Sequence, residues 1–201
     1  MFRISQYMQE IAAPTPLGPK RNPPGPVVIW NLIRRCNLAC QHCYSISADI
    51  DFPGELSTPD IYRTMDDLKS FGVPVLILSG GEPLLHPDIF AISARAKSMG
   101  FYVGLSTNGT MIDEAMLPKV AAIGYDYVGI SLDGIGAVHD RFRRQEGAFD
   151  KSLRGMRLLR DRDYYLTEIA ERMDLSKPTI KPRLAHLRAA GLVTLTEEGG
   201  L

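Results

Sequence analysis

Cys36, Cys40 and Cys43 are the only cysteines among 201 residues, and they lie in one run, residues 34–44, that reads Arg-Arg-Cys-Asn-Leu-Ala-Cys-Gln-His-Cys-Tyr. Their C-x3-C-x2-C spacing puts three soft sulfur ligands on one tight loop, a donor set that selects iron–sulfur clusters, zinc or cuprous copper over hard cations. Three thiolates can hold three irons of a cubane [4Fe–4S] cluster. The fourth iron then lacks a protein ligand and offers an open position where a small molecule can chelate. A closed zinc site would want four ligands. His42 could supply one, but it sits between Cys40 and Cys43, where adjacent side chains compete poorly for one metal. Disulfides fit worse, because the cysteine count is odd and no secretory signal opens the chain, so a reducing compartment is expected.

Three further polar stretches carry residue types suited to a ligand: Gly80-Gly81-Glu82-Pro83, Ser106-Thr107-Asn108-Gly109 and Ser131-Leu132-Asp133-Gly134. Paired glycines allow backbone conformations barred to other residues and let a ligand approach the main chain. Glu82 can present a carboxylate to a cation. Taken singly, each stretch is equally a turn signal.

With these residues in order, the cysteine run resembles the cluster loop of the radical S-adenosylmethionine (SAM) superfamily, with His42 at the aromatic-type position before the third cysteine. Within that superfamily, residues 26–161 most resemble the enzymes of modified-haem (haem d1) biosynthesis. Molybdenum-cofactor and peptide-modifying enzymes are near neighbours. The resemblance implies a [4Fe–4S] cluster on Cys36, Cys40 and Cys43, and SAM chelating the open iron through its amino and carboxylate groups. It implies that Gly80, Gly81 and Glu82 meet the SAM ammonium, that Ser131 and Asn108 meet the ribose or the methionyl carboxylate, and that Arg143 or Arg144 pairs with that carboxylate. The chemistry implied is reductive cleavage: an external one-electron reductant supplies the cluster, SAM breaks to methionine and a 5′-deoxyadenosyl radical, and the radical abstracts hydrogen from a small-molecule substrate. A tetrapyrrole, with its several carboxylates, suits the basic run at residues 141–144. His139 could serve such a carboxylate or only solvation, and His86 reads as a surface residue in the first turn of a helix.

The elements that would position these groups are legible from period and punctuation. Val27–Ile33 is a compact run of β-branched and aromatic residues, expected as a buried first strand that delivers the cysteine loop at its C-terminal end. Helices are expected over 58–71, capped at Thr58-Pro59 and ended by Gly72, and over 87–99, 113–123 and 148–160. Strands are expected over 75–78, 102–106 and 127–131. Each polar motif falls just after a strand, and β–α units in series imply a parallel sheet with right-handed crossovers. Active sites in such folds lie at the C-terminal ends of the strands.

The flanks differ in character. Residues 1–26 hold six of the fourteen prolines and read as an exposed arm after a short helix at residues 4–12. After Arg160 a six-unit barrel would continue with two more strands. Residues 162–201 instead resemble a winged helix-turn-helix of the ArsR or MarR type, with Thr167 as a cap and a second helix starting near Thr179, so that Pro182 falls in its first turn. From Ser176 to Thr196 the sequence carries Lys177, Lys181, Arg183 and Arg188 and no acidic residue, a pattern fitted to phosphate and major-groove contact. Fold alone does not fix that function, and docking or oligomerisation is the plainer use.

The reading is therefore α/β: a Pro-rich arm (1–26), a partial (β/α) barrel of about four β–α units with parallel strands (27–161), and a small winged helix-turn-helix-like module (162–201). Helix 148–160 can serve both of the last two. Four strands of an open barrel leave an edge and an apolar face to be covered by the C-terminal segment or by a partner chain, as in a homodimer. The alternatives to an enzyme are a DNA-binding regulator that senses through an iron–sulfur domain, an inactive truncated remnant, or a recombined reading frame. Lys plus Arg and Asp plus Glu both number 23, and apolar residues make up 45% of the chain, so net charge favours neither nucleic acid nor a membrane surface. No apolar run approaches the roughly 18–20 residues of a membrane span, so the expected location is cytoplasmic.

Overall fold

The computed structural model describes residues 25–160, all within one compact unit. The expected arm and its short helix, the winged module, and the side chains of Lys177, Lys181, Arg183 and Arg188 lie outside the described residues.

Among the described residues four strands form one parallel sheet in sequence order: β1 (Val27–Ile33), β2 (Val75–Gly80), β3 (Tyr102–Thr107) and β4 (Tyr127–Ile130). The connecting helices are α1 (Thr58–Ser70), α2 (Ile89–Ser98) and α3 (Leu117–Ile123); α4 (Ala137–Arg143) and α5 (Ala148–Arg160) follow β4. This is the expected partial (β/α) barrel. The core is where period dictates, with Leu76, Leu78, Val103 and Leu105 on the central strands and Ile61, Met65, Ile92 and Val120 on the helices all fully buried.

Three expectations about elements need correction. First, β1 has the expected bounds but lies, among the described residues, at the edge of the sheet, with Val27 and Ile29 49% and 57% exposed. Second, Ser57, not Thr58, caps α1: its hydroxyl accepts from Asp60 N at 3.4 Å, with Pro59 in the first turn and Gly72 ending the helix at φ +83°. Third, the helix expected from residue 113 starts at Leu117, just before Pro118. Residues 114–116 instead form a turn held by Asp113 Oδ1, which accepts from Ala115 N at 3.0 Å and Met116 N at 2.8 Å.

Sequence reading also passed over α4, seven residues between Gly136 at φ +54° and Arg144 at φ +53°. It matters for the site because its Asp140 caps the next helix, accepting from Gly147 N at 2.7 Å and Phe149 N at 2.8 Å. The α5 helix then seats on the turn after β3, where Ser152 donates to the Asn108 carbonyl at 2.8 Å and a Cβ on Gly155 would overlap the Gly109 carbonyl. No helix among the described residues is long and apolar enough to cross a membrane.

Candidate active site

The cysteine run leaves the C-terminal end of β1 and closes on itself, with Cys36 N donating to the Ala48 carbonyl at 3.0 Å. Its base is fixed by charge. Arg35 pairs with Asp49 at 2.8 Å and Asp51 at 3.1 Å, while Arg34 donates its amide to Glu55 Oε1 at 2.6 Å and stacks its guanidinium 4.1 Å from the Phe52 ring centre.

The turn after β2 is zipped to that base. Gly81 N donates to the Ile33 carbonyl at 2.6 Å and Glu82 N to the Arg35 carbonyl at 2.9 Å. The glycines are needed there because a Cβ on Gly80, at φ +143°, would overlap the Ile33 carbonyl, and one on Gly81 would overlap the carbonyls of Arg34 and Arg35. The backbone that approaches them on the side where a Cβ would stand is that of the base of the cysteine loop.

Glu82 is fully buried, and its carboxylate is taken by three donors: Leu84 N at 3.1 Å and Thr107 Oγ1 at 2.8 Å on one oxygen, Asn108 N at 2.9 Å on the other. Burial pushes its pKa up, and these hydrogen bonds and the Arg143 charge oppose that. The picture of a carboxylate held out to a cation is corrected: Glu82 ties the turns after β2 and β3 together.

Asn108 is likewise turned into the protein. Its amide nitrogen donates to Asn37 Oδ1 at 2.9 Å and faces Cys36 Sγ at 3.9 Å, while its amide oxygen accepts from Thr110 N at 2.9 Å and Thr110 Oγ1 at 2.7 Å. Asn37 closes the circuit by donating to Thr110 Oγ1 at 2.9 Å. Ser131, at the end of β4, remains exposed.

Arg143 was expected to meet the methionyl carboxylate. Its carboxylate in this structure is Asp133, whose Oδ2 lies 2.5 Å from Nε; Nη2 donates to the Ser131 carbonyl at 3.2 Å and Nη1 to Cys40 Sγ at 3.6 Å. Arg144 is exposed. His86, expected at the surface, is buried, and so is His139. His86 accepts from Asp88 N at 3.1 Å through Nδ1, and His139, with no exposed surface, accepts from Asp133 N at 3.1 Å through Nδ1. His42 points Nε2 at Asp133 Oδ1, 3.3 Å away, so it faces a carboxylate rather than a shared metal with its neighbouring cysteines.

Each of the three sulfurs has a protein partner. Leu38 N reaches Cys36 Sγ at 3.4 Å, Arg143 reaches Cys40, and Ser45 Oγ lies 3.3 Å from Cys43 Sγ, backed by Ser47 Oγ 2.5 Å from Ser45 Oγ. Burial pushes the Cys36 thiol up to about 11; the Leu38 amide opposes this, and Glu82, Cys40 and Cys43 add to it. Burial also raises Cys43, but hydrogen bonds with Ser45 and Ser47 outweigh it and bring that thiol down to about 7.

Three thiols on one loop are the donor type a cubane takes. Cys40 and Cys43 are near enough to Cys36 to raise its pKa by their charge. No group of three or more His, Cys, Asp or Glu among the described residues converges tightly enough for a single metal ion. A cubane asks instead for one thiolate per iron corner, with donors to the sulfurs. Two clefts of about 540 and 490 Å3 open among the described residues, one beside Arg141 and Arg144 and the other beside Glu55 and His86; neither is lined by a cysteine.

Sequence signals for Asp133, Thr107, Asn37, Ser45 and Ser47 existed only as neighbours of residues singled out. Their positions beside the motifs were visible, but nothing in one sequence tells which side chain of such a stretch turns inward.

Comparison with known proteins bears on the same residues. Residues 30–169 match the radical SAM superfamily model, and residues 153–194 match that of the bacterial regulatory proteins of the arsR family. The chain is 54% identical over 157 residues to pre-heme d1 synthase of Dinoroseobacter shibae, covering 78% of this chain and 39% of that protein. It is 50% identical over 131 residues to Fe-coproporphyrin III synthase of Methanosarcina barkeri, covering 65% and 33%. It thus spans about two fifths or less of the length of these curated relatives. The crystal structure of Streptococcus suis SuiB bound to S-adenosylmethionine superposes with a TM-score of 0.62 at 16% identity, over 82% of this chain and 36% of that one, a likeness of fold.

Proposed function

The chain belongs to the radical SAM superfamily, and from that premise we propose that it holds a [4Fe–4S] cluster on Cys36, Cys40 and Cys43, binds SAM beside it, and acts on a carboxylated tetrapyrrole in haem modification. The observation that carries this reading is the setting of the three sulfurs, each with a protein partner, on a loop clamped to the ends of β1 and β2. The names of the relatives, a pre-heme d1 synthase and a coproporphyrin synthase, support the substrate class.

Held by Cys36, Cys40 and Cys43, such a cluster would supply one-electron reduction, from an external donor, for the cleavage of SAM. The protein's own part is ligation and orientation. Cys36, Cys40 and Cys43 hold three corners. Ser131 offers an exposed hydroxyl at the end of β4 to a ribose or carboxylate. Gly80, Gly81, Glu82 and Asn108 act at one remove, by fixing the backbone of the turns that border the loop. Arg143 carries a guanidinium whose Asp133 partner a ligand carboxylate would have to displace or share.

The test is anaerobic reconstitution. The chain is expected to take up about four irons at three thiolates and, reduced in the presence of SAM, to release 5′-deoxyadenosine. Undiminished iron in a Cys36→Ala, Cys40→Ala, Cys43→Ala variant would remove the reading. Incubation with an iron tetrapyrrole bearing carboxylates should then yield a product of altered mass.

A second reading is favoured by the arsR match, which overlaps the superfamily match over residues 153–169. In it the C-terminal segment binds DNA through Lys177, Lys181, Arg183 and Arg188. One constraint is set by α5, whose Leu153, Met156 and Leu159 are already buried within the described unit, leaving Arg154 and Arg157 on its exposed side. A salt-dependent mobility shift that weakens on Lys181→Ala with Arg183→Ala is expected on this reading. Absence of any shift at low salt would leave it without support.

A further inference from the structure

A guanidinium that is 8% exposed must have its donors engaged, or the burial of its charge goes uncompensated. Arg143 faces three groups on two segments, the turn after β4 and the cysteine loop. Nη2 takes the Ser131 carbonyl at the end of β4, Nη1 takes Cys40 Sγ at 3.6 Å, and Nε lies 2.5 Å from Asp133 Oδ2 in a charge contact whose N–H does not point along it. The other oxygen of Asp133 meets His42 Nε2 at 3.3 Å. The same segment is pinned again by Gln41 N, which donates to the Phe142 carbonyl at 2.8 Å, and by the His42 ring standing edge-on to Phe142 with centres 5.8 Å apart. One carboxylate therefore lies between a histidine of the cysteine run and the arginine that touches one of its sulfurs.

Resting on the cluster reading above, we propose that Asp133 is a positioning residue: it holds the Arg143 guanidinium on the Cys40 sulfur, so that one thiolate ligand carries a buried cationic donor that favours the reduced cluster. Reduction adds one electron and one negative charge. A cation in contact with a ligand sulfur stabilises the more negative state, and more strongly where water is excluded. Only the planar fork of arginine can reach the sulfur, the carbonyl and the carboxylate together; a lysine ammonium at this site would have to choose among them.

The proposal separates itself from a plain charge effect by sign. If Asp133 acted only as a negative charge near the cluster, Asp133→Asn would make reduction easier. Acting through Arg143, its loss lets the guanidinium leave Cys40 and makes reduction harder.

The experiment is a redox titration of the anaerobically reconstituted full chain, followed by absorbance and electron paramagnetic resonance, with iron content measured alongside. The set is wild type, Asp133→Asn, Arg143→Lys, Arg143→Gln and the Asp133→Asn, Arg143→Gln double variant. Iron content is expected to hold in all. At fixed poise Asp133→Asn and Arg143→Gln should each lower the reduced-to-oxidised ratio about tenfold, or about 59 mV for one electron. The double variant should go no further than Arg143→Gln alone, and Arg143→Lys should fall between.

A wild-type potential in Asp133→Asn, a raised one, or additive shifts in the double variant would overturn the proposal. So would loss of iron in both Asp133→Asn and Arg143→Lys, which would make the role merely structural. A wild-type chain that takes up no cluster removes the reading and this proposal together. A normal wild-type cluster with indifferent variants removes the proposal alone.

Discussion

The main-chain amide of Asn108 donates to Glu82 Oε2 at 2.9 Å, joining the turn after β3 to the turn after β2 through a carboxylate that has no exposed surface. All three partners of that carboxylate present a donor to it. In Glu82→Gln one oxygen becomes an amide nitrogen, so at least one donor faces another donor in a dry site. The expected cost is about 1–3 kcal/mol, the range for a buried group left unsatisfied. Chemical denaturation of wild type and variant checks this, and equal midpoints would show that the tie is dispensable.

Gly81 is where two backbones meet, and alanine there should be felt at the cysteine loop. A methyl group would overlap the carbonyls of both Arg34 and Arg35, neither of which is the far end of a flexible side chain. Overpacking of this kind costs roughly 1–3 kcal/mol. Gly81→Ala is expected to lower the denaturation midpoint and to retain less iron after reconstitution. Gly124→Ala is the control for glycine loss as such: unlike Gly81 it sits at positive φ, so alanine there carries a backbone cost, but it has open space around its Cβ position and lies away from the loop. If both variants lose iron alike, backbone contact at Gly81 is not the cause.

These ties explain how far the sequence could be read. The strands of the sheet announced themselves because each is a run of β-branched or apolar residues stopped by Gly or a polar turn, and parallel pairing follows from helices of sufficient length between them. The clustering of three polar motifs beside the cysteine loop was legible for the same reason, since each follows a strand. Orientation was not. Glu82, Asn108 and Arg143 all stand in motifs that suit a ligand, yet their side chains first satisfy the protein, and a one-residue difference in which side chain turns inward leaves no mark on composition. The α4 helix was hidden because seven residues between positive-φ positions give too short a period to recognise. Exposure of β1 depends on what pairs beyond it, which its own apolar run cannot reveal.

Cys36 and Cys43 should behave as different thiols in the metal-free chain. Cys36 is buried with a pKa near 11, whereas Cys43 is partly exposed and held at about 7 by Ser45 and Ser47. The thiolate is the nucleophile, so at pH 7.5 Cys43 is largely in the reactive form and Cys36 is not. Iodoacetamide under anaerobic conditions, read by peptide mass spectrometry, should label Cys43 at least about ten times faster than Cys36. Ser45→Ala should narrow the gap by slowing Cys43. Equal rates in the wild-type chain would contradict the geometry around both sulfurs.

His139 gives the fold a pH dependence whose sign can be worked out. It has no exposed surface, its Nδ1 accepts from Asp133 N, and its Nε2 has no partner among the described groups. Burial lowers its pKa from the usual 6.5, with the Arg143 charge in the same direction and the Asp133 and Asp140 charges opposing. The unfolded chain therefore binds a proton at a pH where the folded chain does not. Its stabilising contribution is complete above about 6.5 and is lost as the pH falls through the lowered folded value. His86, also lowered by burial, adds in the same sense. The metal-free chain is expected to have a lower denaturation midpoint at pH 5.5 than at pH 7.5, and the difference should shrink in His139→Asn. An undiminished difference in the His139→Asn, His86→Asn double variant would assign the acid sensitivity to other groups, and with it would go the claim that the buried ring behind Asp133 is neutral because the fold requires it.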